Sequence, residues 1–306
     1  MYHLFCISSP FQADSARRII NHFKLPLNSV CILLFDHAFE RDFERVQCSL
    51  GDLANQVDIR PISYKTNSLS RRLSFIRKEA PTGAFTVYCG DWRSKLFKFF
   101  AVHPKFKGFV SIDDGTASFI TAQHAEMSAK KLYAFIPRLK PTIVSRYPIE
   151  KLCPSLNVIS LPPQHKSLPL DNNTVLFIGC CVVEKGIMTE EDYQETLEQA
   201  MAAFPDRQWL YYSHRSELDR VLPQGFNRIP ATLPIEHWFS TLACPPRTLV
   251  SLFSSALFNL VSDYPDTKAF YLKPEDSRFL KRTKDINVVY EWLARLPEFT
   301  CIKNRK

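Results

Sequence analysis

The chain has 306 residues, 45% of them hydrophobic and 13% aromatic, with 39 Lys and Arg against 31 Asp and Glu and a formal net charge of +8. That length fills two ordinary domains or one large one, and the composition excludes an acidic disordered chain, a collagen-like polymer and a repeat array. No uninterrupted apolar run reaches the roughly 18 residues of a membrane span, and the opening Met1-Tyr2-His3-Leu4-Phe5-Cys6-Ile7 lacks the basic stretch of a signal peptide, so a soluble, cytoplasmic protein is expected.

In chain order, short apolar runs alternate with amphipathic stretches. Strands are expected at 2–7, 30–35, 85–89 and 108–112, and helices at 11–24, 67–79 and 92–103. Such alternation marks parallel βα units, hence a sheet covered by helices on both faces. Residues 160–173 then carry three prolines and no apolar period, which suits a linker. The pattern restarts with a strand at 174–179, a helix at 189–204 opened by Thr189, and a strand at 208–213. A helix at 234–243, a strand at 248–252, a helix at 254–262 and a strand at 267–272 follow. Two α/β domains are expected, 1–165 and 166–306, facing a central cleft, with ligands at the carboxyl ends of the strands.

The positive charge lies in short clusters, Arg71, Arg72, Arg77 and Lys78, and Arg278, Lys281, Arg282 and Lys284. Each taken alone reads as a solvated helix face, while the overall balance suits anionic partners. Nine scattered cysteines form no C-x-x-C pair and no zinc spacing, and read as reduced core residues. The eight glycines include neither a G-x-G-x-x-G fingerprint nor a P-loop. No Asp-x-Asp occurs either, so a metal clamp on a nucleoside diphosphate has no obvious ligands.

Four segments just after predicted strands carry candidate chemistry. Ile112-Asp113-Asp114-Gly115-Thr116 supplies two adjacent carboxylates, able to act as a general base or simply to form an Asp-Gly turn. In Phe177-Ile178-Gly179-Cys180-Cys181 a glycine ends the first strand of the second half, and Glu184 beyond it is a second candidate base. Tyr211-Tyr212-Ser213-His214-Arg215 places a His and an Arg side by side, a pair that binds phosphate or sits idly on a surface. At Phe253-Ser254-Ser255-Ala256 a strand turns into a helix, where Ser254 is a good N-cap and the helix end offers N–H groups and two hydroxyls to an anion. Together they describe a hydroxyl deprotonated by a carboxylate of the first half while a phosphate leaving group is stabilised by the second.

These segments resemble the bacterial sialyltransferases of glycosyltransferase family 52, which sialylate lipooligosaccharide. That family, like its polysialyltransferase cousins, carries an acidic-acidic-Gly motif, a His-Pro motif and a Ser-rich motif on a GT-B-type fold. Asp113-Asp114-Gly115-Thr116 matches the first and Phe253-Ser254-Ser255-Ala256-Leu257 the third. Leu4-Phe5-Cys6 with Gln12 and Ala16-Arg17-Arg18-Ile19-Ile20 is similar to the family's opening strand and helix, and Tyr264-Pro265-Asp266 with Tyr271-Leu272-Lys273-Pro274 to its late strand. The His-Pro motif departs from the pattern: it stands here as His214-Arg215, while a true His-Pro, His103-Pro104, falls in the first half and reads as a loop coincidence.

The resemblance implies inverting, metal-independent transfer from CMP-sialic acid, the donor substrate, to a hydroxyl of a (lipo)oligosaccharide, a terminal galactose first among them, with no cofactor. Asp113 or Asp114, Asp113 by a narrow margin, would take the acceptor's proton; His214, Ser254 and Ser255 would stabilise the departing phosphate; Glu184 is held in reserve as a catalytic acid. Gly115, Gly179, Ser213 and Arg215 would line the substrates, and Glu236 would hold the ribose or cytosine, or merely offset a helix dipole. Such an enzyme would work at the inner face of the cytoplasmic membrane through basic and aromatic surface. Dimers occur in the family, though nothing in this sequence demands one. A transferase taking CMP-Kdo or another CMP-nonulosonic acid, or a polysialyltransferase, would share the phosphate site. No nucleic-acid partner is expected, because groove-reading and stacking motifs are missing and the charge is dispersed. A non-catalytic paralogue is the remaining reading.

Overall fold

A computed structural model describes residues 1–35, 42–62, 68–90, 94–129, 136–217 and 219–303. The chain divides into two compact units, Met1–Pro162 and Pro163–Lys306, parting within the proline-rich stretch.

The first unit is built on strands β1 (Tyr2–Ile7), β2 (Val30–Phe35), β3 (Asp58–Ile62), β4 (Phe85–Cys89), β5 (Phe106–Ile112), β6 (Pro141–Ser145) and β7 (Asn157–Ser160). They form one sheet in the order β3-β2-β1-β4-β5-β6-β7, parallel at every pairing. Strands buried on both faces read as unbroken apolar runs, and Val30–Phe35 is buried throughout. Helices α1 (Pro10–His22) and α2 (Phe43–Leu50) cover one face, packing Ala13, Ala16, Ile19, Ile20, Val46 and Leu50 onto Phe5, Ile7, Ile32 and Leu34. The other face carries helices α3 (Leu69–Glu79) and α4 (Lys95–Phe99). There a chain of rings runs from Phe35 through Phe75, Phe100, Phe85 and Phe106 to Phe109. Each such side chain contributes roughly 1.5–3 kcal/mol by leaving water. Helix α5 (Ala117–Ala129) follows β5.

The helix expected at 92–103 is shorter. Residues 92 and 93 lie outside the described residues, and α4 passes into a 3-10 turn, Phe100–Val102, that ends at His103. Pro104 accounts for the stop, since the residue before a proline leaves helical space.

The second unit repeats the plan with β8 (Asp171–Ile178), α6 (Glu190–Ala203), β9 (Gln208–Tyr212), β10 (Phe226–Ile229), α7 (Ile235–Thr241), β11 (Pro246–Ser251), α8 (Ser255–Asp263), β12 (Lys268–Leu272), α9 (Thr283–Leu293) and β13 (Phe299–Ile302). Its sheet runs β10-β9-β8-β11-β12-β13, again all parallel. The core under α7 and α8 joins Phe239, Leu257 and Leu260 to Leu176, Ile178 and Leu249. Two all-parallel sheets with covering helices make the chain an α/β protein of two Rossmann-like units.

In each unit the strand order reverses direction beside the first strand, between β1 and β4 and between β8 and β11. Loops diverge at such a reversal, and open α/β sheets bind ligands at its carboxyl end.

Candidate active site

At the reversal of the first unit, helix α1 begins with Ser9, whose Oγ accepts from the Gln12 N–H at 3.2 Å, and with Pro10 at the first helical position. Gln12 turns back over the strand end. Its carbonyl Oε1 accepts from the Ser8 N–H at 2.8 Å and from the Ser8 hydroxyl at 3.0 Å, and its Nε2 donates to Asp114 Oδ1 at 2.8 Å. A backbone N–H can only donate, so Ser8 fixes which end of the amide faces Asp114. Gly90, just after β4, leaves room for this contact, because a Cβ there would stand 2.4 Å from Gln12 Nε2 and 3.1 Å from Asp114 Cβ.

The two neighbouring aspartates at the end of β5 meet different surroundings. Asp113 is buried; Ser145 Oγ donates to its Oδ1 at 2.5 Å and the Arg146 N–H to its Oδ2 at 2.8 Å. Burial pushes its carboxyl up, against those hydrogen bonds and the Arg146 charge. Asp113 is thus a strut between β5 and β6. Asp114 is half-buried beside Gln12, with its own N–H on Ser118 Oγ at 2.8 Å. Gly115 takes φ +64° to turn the chain into α5, a conformation costly for other residues.

Behind this edge lies a third carboxylate, unnoticed in the sequence. Asp14 pairs with Arg17 at 2.5 Å, Arg18 at 2.9 Å and Arg146, whose guanidinium also lies over the Phe11 ring. Burial alone would raise the Asp14 carboxyl, but Arg146, Arg18 and Arg17 together hold it well below the usual carboxylate range. His103-Pro104 stands before β5, at the opposite end of that strand from the aspartates.

In the second unit the registers align Ile178 with Tyr212 on one side and with Ser251 on the other. The residues that follow, Gly179 after β8, Ser213-His214-Arg215 after β9 and Ser254-Ser255 after β11, therefore share one edge. Cys180 and Cys181 bridge it: the Cys180 thiol lies 3.5 Å from Ser251 Oγ, and Cys181 Sγ lies 3.9 Å from His214 Nε2. Burial pushes the Cys180 thiol up to about 11, so it stays protonated as a core residue. All nine cysteines carry free thiols.

His214 opens a tight turn. The Ser216 N–H donates to its Nδ1 at 3.1 Å, which makes Nδ1 an acceptor and leaves the ring proton of the neutral form on Nε2. Arg215 and Ser216 are exposed. Ser213 is buried, its Oγ accepting from Arg228 Nη1 at 3.1 Å. Ser254 caps α8, accepting from the Ala256 N–H at 3.3 Å, with Ser255 in the first turn; both are partly exposed where the helix dipole favours an anion. Glu236, in the first turn of α7, accepts from Asn259 Nδ2 at 2.6 Å. That asparagine lies one turn into α8 from Ser255, so Glu236 is anchored to the same helix.

Glu184 lies in a different setting. Its carboxylate pairs with the buried Arg220, which also meets Glu217 at 3.2 Å and Glu190 at 3.3 Å and covers the Tyr193 ring. Gly179 is a glycine for reasons of space: a Cβ would stand 2.7 Å from Glu217 Oε2 and 2.8 Å from the Tyr211 hydroxyl. Among the described residues no group of three or more His, Cys, Asp and Glu side chains could hold a metal ion.

The fold defines a class, the α/β proteins built of two parallel-sheet units. Within that class, the structure is similar to a sialyltransferase from Photobacterium damsela, with a TM-score of 0.51 at 12% identity over 98% of this chain and 81% of that one. It also matches Acinetobacter baumannii MurG (TM-score 0.48, 10% identity, 98% and 85% covered) and the spinosyn rhamnosyltransferase SpnG, solved with thymidine diphosphate (0.46, 11%, 98% and 86%). No protein-family model matches the chain, and no curated protein matches it by sequence.

Proposed function

We propose that this protein is an inverting glycosyltransferase that moves sialic acid from CMP-sialic acid to a hydroxyl of a (lipo)oligosaccharide, without a metal or cofactor. The observation that carries the reading is the shared carboxyl edge of the second sheet, where His214 follows β9 and the Ser-capped start of α8 follows β11, on either side of β8. That is a donor set for a phosphate. The shared fold with sugar transferases, a sialyltransferase among them, supports the same reading.

In this reaction the acceptor oxygen bonds to the anomeric carbon as the bond from that carbon to the phosphate oxygen breaks, and the acceptor's proton passes to a carboxylate. Asp114 is better suited to that role than Asp113, both of whose carboxylate oxygens already accept hydrogen bonds from β6 and its following loop. Gln12 orients Asp114, much as a general base is held by a neighbour in other acid–base sites. Negative charge gathers on the leaving CMP phosphate, where His214, Ser254, Ser255 and the α8 dipole stabilise it. Arg215 reaches the donor from the exposed turn, and Glu236 takes the nucleoside. Glu184, paired with Arg220, supports the turn rather than exchanging protons.

No helix among the described residues is long and apolar enough to cross a membrane. The net charge of +8 fits peripheral work on an anionic glycolipid at the inner membrane surface. A thermal-shift series with CMP, CDP, UDP and GDP tests the donor class, since a ligand at 100 times its Kd adds about 2.7 kcal/mol to the native state. CMP is expected to raise Tm most; equal or larger shifts with UDP or GDP would overturn the assignment. Donor hydrolysis then separates CMP-sialic acid from CMP-Kdo.

A further inference from the structure

Three contacts converge on Glu217, a residue that the reaction above leaves unused. Its side chain is fully buried, 0% exposed. Oε2 accepts the His214 N–H at 2.8 Å, Oε1 accepts the Tyr211 hydroxyl, and Arg220 pairs with it at 3.2 Å. The Glu217 N–H in turn donates to the His214 carbonyl at 2.8 Å. With the Ser216 N–H on His214 Nδ1, this is a variant of the reciprocal bonding of a helix capping box on a turn that starts no helix, an imidazole standing where a Ser or Thr hydroxyl normally does and accepting from the second residue of the turn instead of the third. The missing side chain of Gly179 makes the room that Glu217 and Tyr211 occupy.

We propose that Glu217 is a positioning residue for His214: its buried carboxylate holds the 214–217 turn so that the Ser216 N–H engages Nδ1 and the ring is fixed with its proton on Nε2, the nitrogen 3.9 Å from Cys181 Sγ. The turn has Arg215 where a proline would stiffen the backbone, and the Glu217 carboxylate supplies that stiffness from below. The inference rests on the reading of His214 as a phosphate donor. Contacts that strengthen as the phosphate gains charge act on kcat more than on KM.

The test uses the full chain labelled with ¹⁵N-histidine, the His214 signals being assigned with His214→Gln, and donor hydrolysis measured in parallel. Glu217→Gln keeps an acceptor for the His214 N–H and is expected to retain the Nε2–H signature and at least about a third of the wild-type kcat. Glu217→Asp keeps the charge but draws the carboxylate back by one methylene. It is expected to show mixed tautomers and a kcat about 10-fold or more lower, with KM for the donor within about 3-fold. Glu217→Ala should match Asp; should it fail to fold, the Asp and Gln variants decide. An Asp variant with an unchanged imidazole signature, or a Gln variant as impaired as Asp, would overturn the proposal. A wild type inert toward CMP-sugars would instead refute the phosphate reading, while the imidazole signature would still decide whether Glu217 positions the ring.

Discussion

At the end of β5 two adjacent carboxylates show how little chemistry residue type alone decides. Asp113 spends both oxygens on Ser145 and the Arg146 N–H, whereas Asp114 stays half-buried beside Gln12. Asp114→Asn should lower transfer about 100-fold or more, the usual scale for a general base, and leave CMP binding unchanged; steady-state kinetics and a CMP titration check this. Half-buried Asp14 and buried Asp113 also titrate in opposite senses. Asp113, raised in the fold, contributes stability that diminishes as pH climbs above the ordinary carboxylate value. Asp14, lowered by its three arginines, contributes stability that is whole above about pH 4 and lost as pH falls below it. Asp14→Asn should therefore cost about 3 kcal/mol near neutrality, and denaturant titrations at several pH values should show the gap to wild type closing below about pH 4. The Asp-Asp-Gly segment was legible in the sequence because it follows an apolar run. Which aspartate is the strut was not, because the deciding partners stand more than 30 positions away on β6 and its following loop.

Among the elements, the central strands announced themselves except β6 (Pro141–Ser145), a five-residue run opening on a proline that went unread. Phe85–Cys89 and Asp171–Ile178 carry apolar runs because helices cover both faces of a parallel sheet. The strands β3, β7, β10 and β13 escaped detection for the converse reason: they are the sheet edges, and their residues are largely exposed or half-buried. Helix α5 escaped because its apolar residues are spread around it instead of lining one face. The start of α8 was readable from Ser254 and Ser255 following an apolar strand. Ser254→Ala should cost about 1 kcal/mol through the lost cap and also weaken CMP binding. Thermal melts with and without CMP separate the two effects, and a variant that loses stability alone would leave Ser254 a structural cap.

On the scale of the whole chain, both units repeat one device, an all-parallel sheet whose strand order reverses beside its first strand. That device explains why candidate residues scattered from Gly179 to Ser255 come to one edge. The H-x-x-E pattern of His214 and Glu217 was equally present in the sequence, but a capping box is ordinarily sought with Ser or Thr ahead of a helix, so its meaning emerged only with the turn. The most direct measurement is release of CMP from CMP-sialic acid, offered with a galactose-terminated oligosaccharide in excess chelator, by wild type, Asp114→Asn and His214→Ala. Wild type should release CMP and sialylate the acceptor, with both variants at least about 100-fold slower. Absence of CMP release, or wild-type rates in both variants, would contradict the assignment of donor and residues.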